Sequence, residues 1–316
     1  MQMFRKILRE SKPSAQLFFS AIVLIVCGLV ITALGMGIGG VIFGVNMGEL
    51  EKMMQDLSNP QNVAVLKFFQ TIQSVGVFIV PPVLVAWMLD GKPSVYLKYN
   101  KRPHLTGVIV VIAIIFFSNP LINWLNELNS ALRLPGWLHS LQSWMENSED
   151  QATRITEAFL AGSSVSSLLN NIVIIAILPA IGEELLFRGI VQRLLKQMYG
   201  NSHVAIWISA ALFSALHLQF FGFLPRMILG AMFGYMLEWG GTLWLPIIGH
   251  FVNNATAVIA WYLNKRGTIG TSLEKTGTQA DGSFYLVLVS LIFLFVFFRY
   301  LYLKREVDSY TGPGPG

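Results

Sequence analysis

Charge is what this sequence has least of. Only 12% of its 316 residues are Asp, Glu, Lys or Arg, against roughly 25% in an average soluble domain. Seventeen acidic and 22 basic residues are too few to cover a globule of this length with a charged skin. An ordinary soluble domain and a disordered chain are both excluded, because 54% of the residues are hydrophobic and need a place out of water. Cysteine is nearly absent. Cys27 stands alone, so no intrachain disulfide can form, and its place in an apolar run reads as inert packing. The net charge of +5 does not call for nucleic acid, because basic excess in a membrane protein collects in cytoplasmic loops.

What is present is a series of apolar runs, each near the roughly 20 residues that cross a hydrocarbon core. Eight are read, at 16–46, 64–89, 105–125, 166–187, 203–219, 223–239, 242–263 and 283–303. The expected fold is therefore all-α, a polytopic integral membrane bundle of about eight transmembrane helices. The first run is too long for a cleaved signal peptide and lacks a small-residue cleavage site, so it reads as a retained helix. With the N-terminus inside, fourteen of the 22 basic residues flank the inner face and eight the outer one. That bias gives an N-in/C-in topology, against which the basic 264–282 loop counts. Three regions follow: 1–165 with the N-terminal helices, 166–303 as the catalytic membrane domain, and 304–316 as a short cytoplasmic tail. The stretch 126–165 carries Leu138, Leu141, Trp144 and Met145 at helical spacing beside Glu146, Glu149 and Asp150, the pattern of a helix lying on the outer membrane surface.

Fifteen of the 17 acidic residues fall in loops, tails or span ends; Glu183 and Glu184 alone sit inside an apolar stretch. An ionisable group at membrane depth costs at least ~2.5 kcal/mol on insertion scales and marks a functional site by default. Adjacent helical residues point about 100° apart, so the two carboxylates need separate partners. Glu184 has Arg188 four residues on, in the favourable order for an ion pair, which reads as architecture. Glu183 has Phe187 at that position, and its charge must be met by another helix, by water or by substrate.

His217 and His250 lie within predicted spans. Taken singly, each reads as a hydrogen-bonded core histidine. Taken together with the turns, they gain weight. Glu183 lies 17 residues before Gly200 and His217 lies 17 after it, so straight antiparallel helices put both roughly 25 Å from that turn. His250 and Asn254 lie nine and 13 residues past Gly241, roughly 14 and 20 Å up, and share a helix face. Four polar side chains thus converge near mid-membrane. None is a good nucleophile, and Ser214 has no base partner in sequence. Water is the expected nucleophile, with Glu183 as base, one histidine orienting the water, and the other with Asn254 stabilising an oxyanion. A second version makes Glu183, His217 and His250 zinc ligands. It ranks behind the first because no His-Glu-x-x-His motif occurs and no cysteine joins the set.

Three stretches carry a family resemblance: Glu183-Glu184-Leu185-Leu186-Phe187-Arg188, Phe213-Ser214-Ala215-Leu216-His217, and His250-Phe251-Val252-Asn253-Asn254. In this order, over about 179–254, the chain resembles the CPBP family of integral membrane proteases, the CAAX-protease and bacteriocin-processing or Abi family. The resemblance implies an endopeptidase acting within or beside the membrane on a membrane-associated peptide or protein. The family's Rce1-like members look more like glutamate-dependent enzymes than metalloenzymes, so no cofactor is required on this reading. Carried over, Glu183 activates water, His217 assists, and His250 with Asn254 forms the oxyanion site; Glu184, Arg188 and Phe213 support it. A bacterial plasma membrane is the expected location. Two other classes fit the residues: a non-catalytic membrane protein that binds a peptide or confers immunity, and an ion-coupled carrier using the buried carboxylate, though no inverted repeat is visible.

Overall fold

A computed structural model describes residues 2–268 and 275–311; the Gly312–Gly316 end of the expected tail lies outside them. Among the described residues the chain is helical with no strand. In chain order the helices are α1 Gln2–Glu10, α2 Pro13–Phe43, α3 Leu50–Gln55, α4 Pro60–Asp90, α5 Pro93–Tyr96, α6 Leu105–Ser130, α7 His139–Leu160, α8 Val165–Tyr199, α9 Ser202–Ala215, α10 Phe223–Gly240, α11 Trp244–Lys265 and α12 Tyr285–Thr311.

Among the described residues, six helical segments are long and apolar enough to cross a membrane: α2, α4, α6, α8, the stretch Phe220–Gly240 that contains α10, and Tyr285–Arg305 of α12. The protein is a multi-pass helical membrane bundle. Two of the eight expected spans fall outside that group. The helix read over 203–219 stops at Ala215 and is 14 residues long. The one read over 242–263 is 22 residues long, but His250, Asn253 and Asn254 dilute its apolar character. The surface of the bundle has the character lipid requires. On α2, Phe18, Leu29 and Val41 are 70%, 67% and 88% exposed, a display that water would penalise.

The turns are where the sequence places them. Gly200 (φ +64°) ends α8 and Gly241 (φ +73°) ends α10; both are left-handed caps that glycine adopts without a Cβ penalty. Asn201 then caps α9, its Oδ1 accepting from the backbone N–H groups of His203 and Val204. Two apolar clusters hold the bundle. One joins α4, α5, α8 and the start of α11 through Val85, Leu97, Leu194 and Leu243. The other joins α6, α10 and α12 through Ile114, Met236 and Leu294. A smaller cluster of Leu186, Phe187 and Phe213 lies beneath the glutamates.

Helix α8 is not regular. It widens into π turns at Ile172–Ile177 and Leu185–Val191, so the Glu183–Glu184 pair sits on a short α segment between two wide turns. Such bulges rotate the residues that follow and recur at functional sites. They also break the straight-helix assumption behind the depth estimates above.

Candidate active site

Glu184 and Arg188 form the expected ion pair. Arg188 Nη1 donates to Glu184 Oε1 at 2.9 Å, and the two side chains are 1% and 0% exposed. The second Arg188 nitrogen donates to the Gly230 carbonyl on α10 at 2.8 Å, and the guanidinium lies 4.8 Å from the Phe213 ring centroid and 5.4 Å from that of Phe233. One planar group thus ties α8, α9 and α10 together.

His250 stands over both glutamates. Its Nδ1 lies 3.0 Å from Glu184 Oε1 and its Nε2 lies 3.8 Å from Glu183 Oε2. The ring stacks on Phe233, with centroids 5.0 Å apart and planes 14° apart, and meets the Phe213 edge at 6.0 Å. An ion-paired carboxylate has only lone pairs to offer, so His250 Nδ1 carries the hydrogen. In the neutral ring, Nε2 then presents a lone pair toward Glu183.

The residues between Ala215 and Phe220 hold a correction. His217 is not on a spanning helix but in the turn that follows α9. The last carbonyls of a helix lack intrahelical donors, and His217 Nδ1 donates back to Phe213 O at 2.8 Å. Leu218 follows at φ +54°, a conformation rare for a non-glycine residue. The turn leaves His217 Nε2 free of that bond. Ser214 donates to Phe223 O at 2.6 Å.

Asn254 reaches across to α8, its Nδ2 donating to Ile175 O at 3.1 Å. Pro179, four residues on from Ile175, has no N–H to give that oxygen. Asn253 Nδ2 donates in turn to Asn254 Oδ1 at 3.0 Å.

These side chains surround one cavity of about 520 Å³, whose walls include Glu183, Phe213, His217, His250 and Asn254. Glu184 and Arg188 lie behind the wall rather than in it. Glu183 is 14% exposed, and its buried Oε2 has no hydrogen-bond partner among the described residues. The alternative zinc set of Glu183, His217 and His250 shares this cavity. Among the described residues, however, no group of three or more His, Cys, Asp or Glu side chains comes together as a metal-holding set.

The cavity wall extends beyond the polar set named from the sequence. Arg226, counted with the outer flank, is in the first turn of α10 and lines the cavity, its guanidinium bonded to the backbone and side-chain oxygens of Gln219 at 3.2 and 2.8 Å. Helix α7, expected on the membrane surface, contributes Ile155, Thr156 and Phe159 to the wall. Its Trp144 packs against Phe220, and Glu149 accepts from the Phe221 N–H at 3.2 Å. Phe159 is the residue of this helix that is fully buried, while Leu141 and Trp144 stay 43% and 49% exposed.

Comparison with known proteins falls on the same segment. Residues 165–256 match the family described as type II CAAX prenyl endopeptidase Rce1-like. The three motifs lie inside that range, so the resemblance read from them and the family match coincide. The uncharacterized protein YpbD of Bacillus subtilis (strain 168) is 30% identical over 89 residues, which are 27% of this chain and 42% of that protein. The aligned part is thus less than half of that relative. No solved structure matches.

Proposed function

We propose that the protein is an intramembrane endopeptidase that hydrolyses a peptide bond of a membrane-associated peptide or protein, with Glu183 as the general base. The observation that carries this reading is the buried Glu183 oxygen, without a hydrogen-bond partner among the described residues, in the wall of a cavity shared with two histidines and Asn254. A buried polar atom without a partner is costly, and a water in this cavity would meet it. Glu183 takes a proton from that water as its oxygen attacks the carbonyl carbon. His217 Nε2 accepts a second hydrogen bond from the water and aims it. Charge developing on the carbonyl oxygen is met by the Asn254 amide, and by His250 when its Nε2 also carries a proton. The C–N bond then breaks, and the proton held by Glu183 passes to the leaving nitrogen. Every step uses the chain's own residues. The basic flanks place both ends of the chain in the cytoplasm on this reading, and the setting is a bacterial plasma membrane.

The test is cleavage of a membrane-peptide library, including a prenylated peptide, by the purified full chain in detergent. Wild type should cleave. Glu183→Gln, which keeps size and removes the base, should lose at least about a hundredfold in kcat, and His217→Ala and His250→Ala should both be impaired. Equal turnover by Glu183→Gln overturns the assignment. A chelator in the same assay should leave turnover unchanged, and its loss with recovery on adding zinc would favour the metal version.

A further inference from the structure

On the far side of α10 from the cavity lies a second concavity of about 520 Å³, open between α10 and α12. Its wall is apolar and aromatic, with Trp207, Tyr235, Trp239 and Phe298 prominent, and it holds one formal charge, Arg299. Tyr235, Trp239 and Phe298 form a continuous ring cluster, with centroids 4.5 to 6.4 Å apart.

The depth of Arg299 is what makes the groove specific. Arg305 on the same helix meets Glu238 at 3.3 Å, level with the end of α10. Arg299 is six residues earlier, roughly 9 Å deeper along the helix. Lys304 donates to Thr106 Oγ1 at 3.1 Å, so both basic neighbours are engaged. Arg299 lies instead against the face of Tyr302, 5.5 Å from its guanidinium carbon. Among the residues whose side chains are described, no carboxylate lies within ion-pairing distance of it. Arg299 is exposed, so its guanidinium is open to a ligand from outside the bundle, and its planar fork suits phosphate oxygens.

We infer that this groove is a binding site for an anionic phospholipid, with the phosphate on Arg299 and an acyl chain along Trp207, Trp239 and Phe298. A basic residue at the end of an apolar cleft between membrane helices is the chemistry that selects anionic headgroups, and interfacial aromatic side chains frame it. The site is independent of whether Glu183 drives cleavage. Its position, however, makes α10 a partition one helix thick. Ile228 and Met232 face the groove, whereas the adjacent Leu229 and Phe233 face the cavity.

The two groove tryptophans provide the readout. The full chain in nonionic detergent is titrated with phosphatidylglycerol carrying brominated acyl chains, which quench nearby tryptophans, and separately with brominated phosphatidylcholine. The anionic lipid should reach half-saturation at a concentration about fivefold lower, the size expected of one interfacial arginine. Arg299→Gln should abolish that difference and Arg299→Lys should keep part of it. Replacing Trp207 and Trp239 together by Phe should remove the saturable quenching. Equal half-saturation by the two wild-type titrations overturns the proposal, as does a preference that survives Arg299→Gln. Displacement of the brominated lipid by millimolar inorganic phosphate alone would reassign the site to a free anion. If Arg299→Gln fails to fold, the two wild-type titrations and the tryptophan variant decide the matter.

Discussion

His250 Nδ1 and Glu184 Oε1 lie 3.0 Å apart in the interior of the bundle, and the same oxygen receives Arg188 at 2.9 Å. One carboxylate oxygen therefore fixes a guanidinium from its own helix and an imidazole from another. This separates the work of the two adjacent glutamates. Glu184 sets the ring orientation and tautomer of His250, and Glu183 faces the cavity that the ring overlooks.

The first prediction concerns that separation. Glu184→Gln leaves Arg188, 1% exposed, buried without its counter-charge. Breaking a buried pair from one side costs about 3–5 kcal/mol, so yield and thermal stability in detergent should fall sharply. Glu183→Gln should leave both near wild type, because Glu183 has no arginine within ion-pairing distance among the described residues. Thermal unfolding of the two variants side by side checks this. A destabilised Glu183→Gln with an unaffected Glu184→Gln would reverse the assignment.

Arg188→Lys should not rescue the network. Arginine uses two nitrogens here, one to Glu184 and one to the Gly230 carbonyl, while its plane lies near the Phe213 and Phe233 rings. A lysine keeps the charge but has a single nitrogen and no plane. The Gly230 contact to α10 should be lost, at a cost of about 1–3 kcal/mol. A melting temperature equal to wild type would show that charge alone suffices.

Phe233 should matter for turnover more than for folding. Its ring lies 5.0 Å from that of His250 and almost parallel to it, which limits rotation about the bond that aims Nε2. Phe233→Leu retains most of the volume, and such swaps cost less than about 1.5 kcal/mol. Loose aim is more costly to a catalytic group, and kcat should drop roughly tenfold with KM little changed. A fall in stability matched by unaltered kcat would make Phe233 a packing residue only.

Much of this arrangement was legible in the sequence, for a physical reason. A carboxylate at membrane depth is so costly that few occur, and Glu183 stood out because Phe187 occupies the place of a partner. The Glu184–Arg188 pair was equally plain from its spacing. Arg226 was not, because an arginine beside a predicted span end reads as a topology signal, and only the fold turns it inward. The shortness of α9 was hidden as well. The apolar pattern continues past Ala215 through Leu216 and Leu218, while the helix stops where His217 satisfies the Phe213 carbonyl. The π turns left no mark in apolar periodicity, since α8 is apolar all round near Ile172–Ile177.

Asn254 and Pro179 should be coupled in stability but not in catalysis. The Asn254 amide donates to Ile175 O at 3.1 Å, the carbonyl that Pro179 cannot serve. Asn254→Ala strands that oxygen, at a cost of about 1–3 kcal/mol. Adding Pro179→Ala provides an N–H four residues on, and the double variant should recover part of the lost stability. Cleavage should stay low, because the amide proposed for the oxyanion is still missing. Thermal stability and kcat measured on all four members of the cycle check both halves. Recovery of turnover with stability would confine Asn254 to a structural role.

Gly182 tests how closely α4 and α8 must approach. A Cβ built there would lie 2.7 Å from Phe78 Cβ and 3.3 Å from the Phe78 carbonyl carbon, atoms that cannot swing aside as a side-chain tip can. Gly182→Ala must therefore push the helices apart, and overpacking of this kind costs about 1–3 kcal/mol. Because Gly182 directly precedes Glu183, the displacement also shifts the proposed base relative to His250 Nε2, now 3.8 Å away. Turnover should fall at least tenfold, even at temperatures where the variant remains folded. Phe78→Ala in the same background removes the ring and leaves the obstructing Cβ, so it should restore little; an almost complete rescue would show that the ring, rather than the Cβ and the helix backbone, sets the spacing.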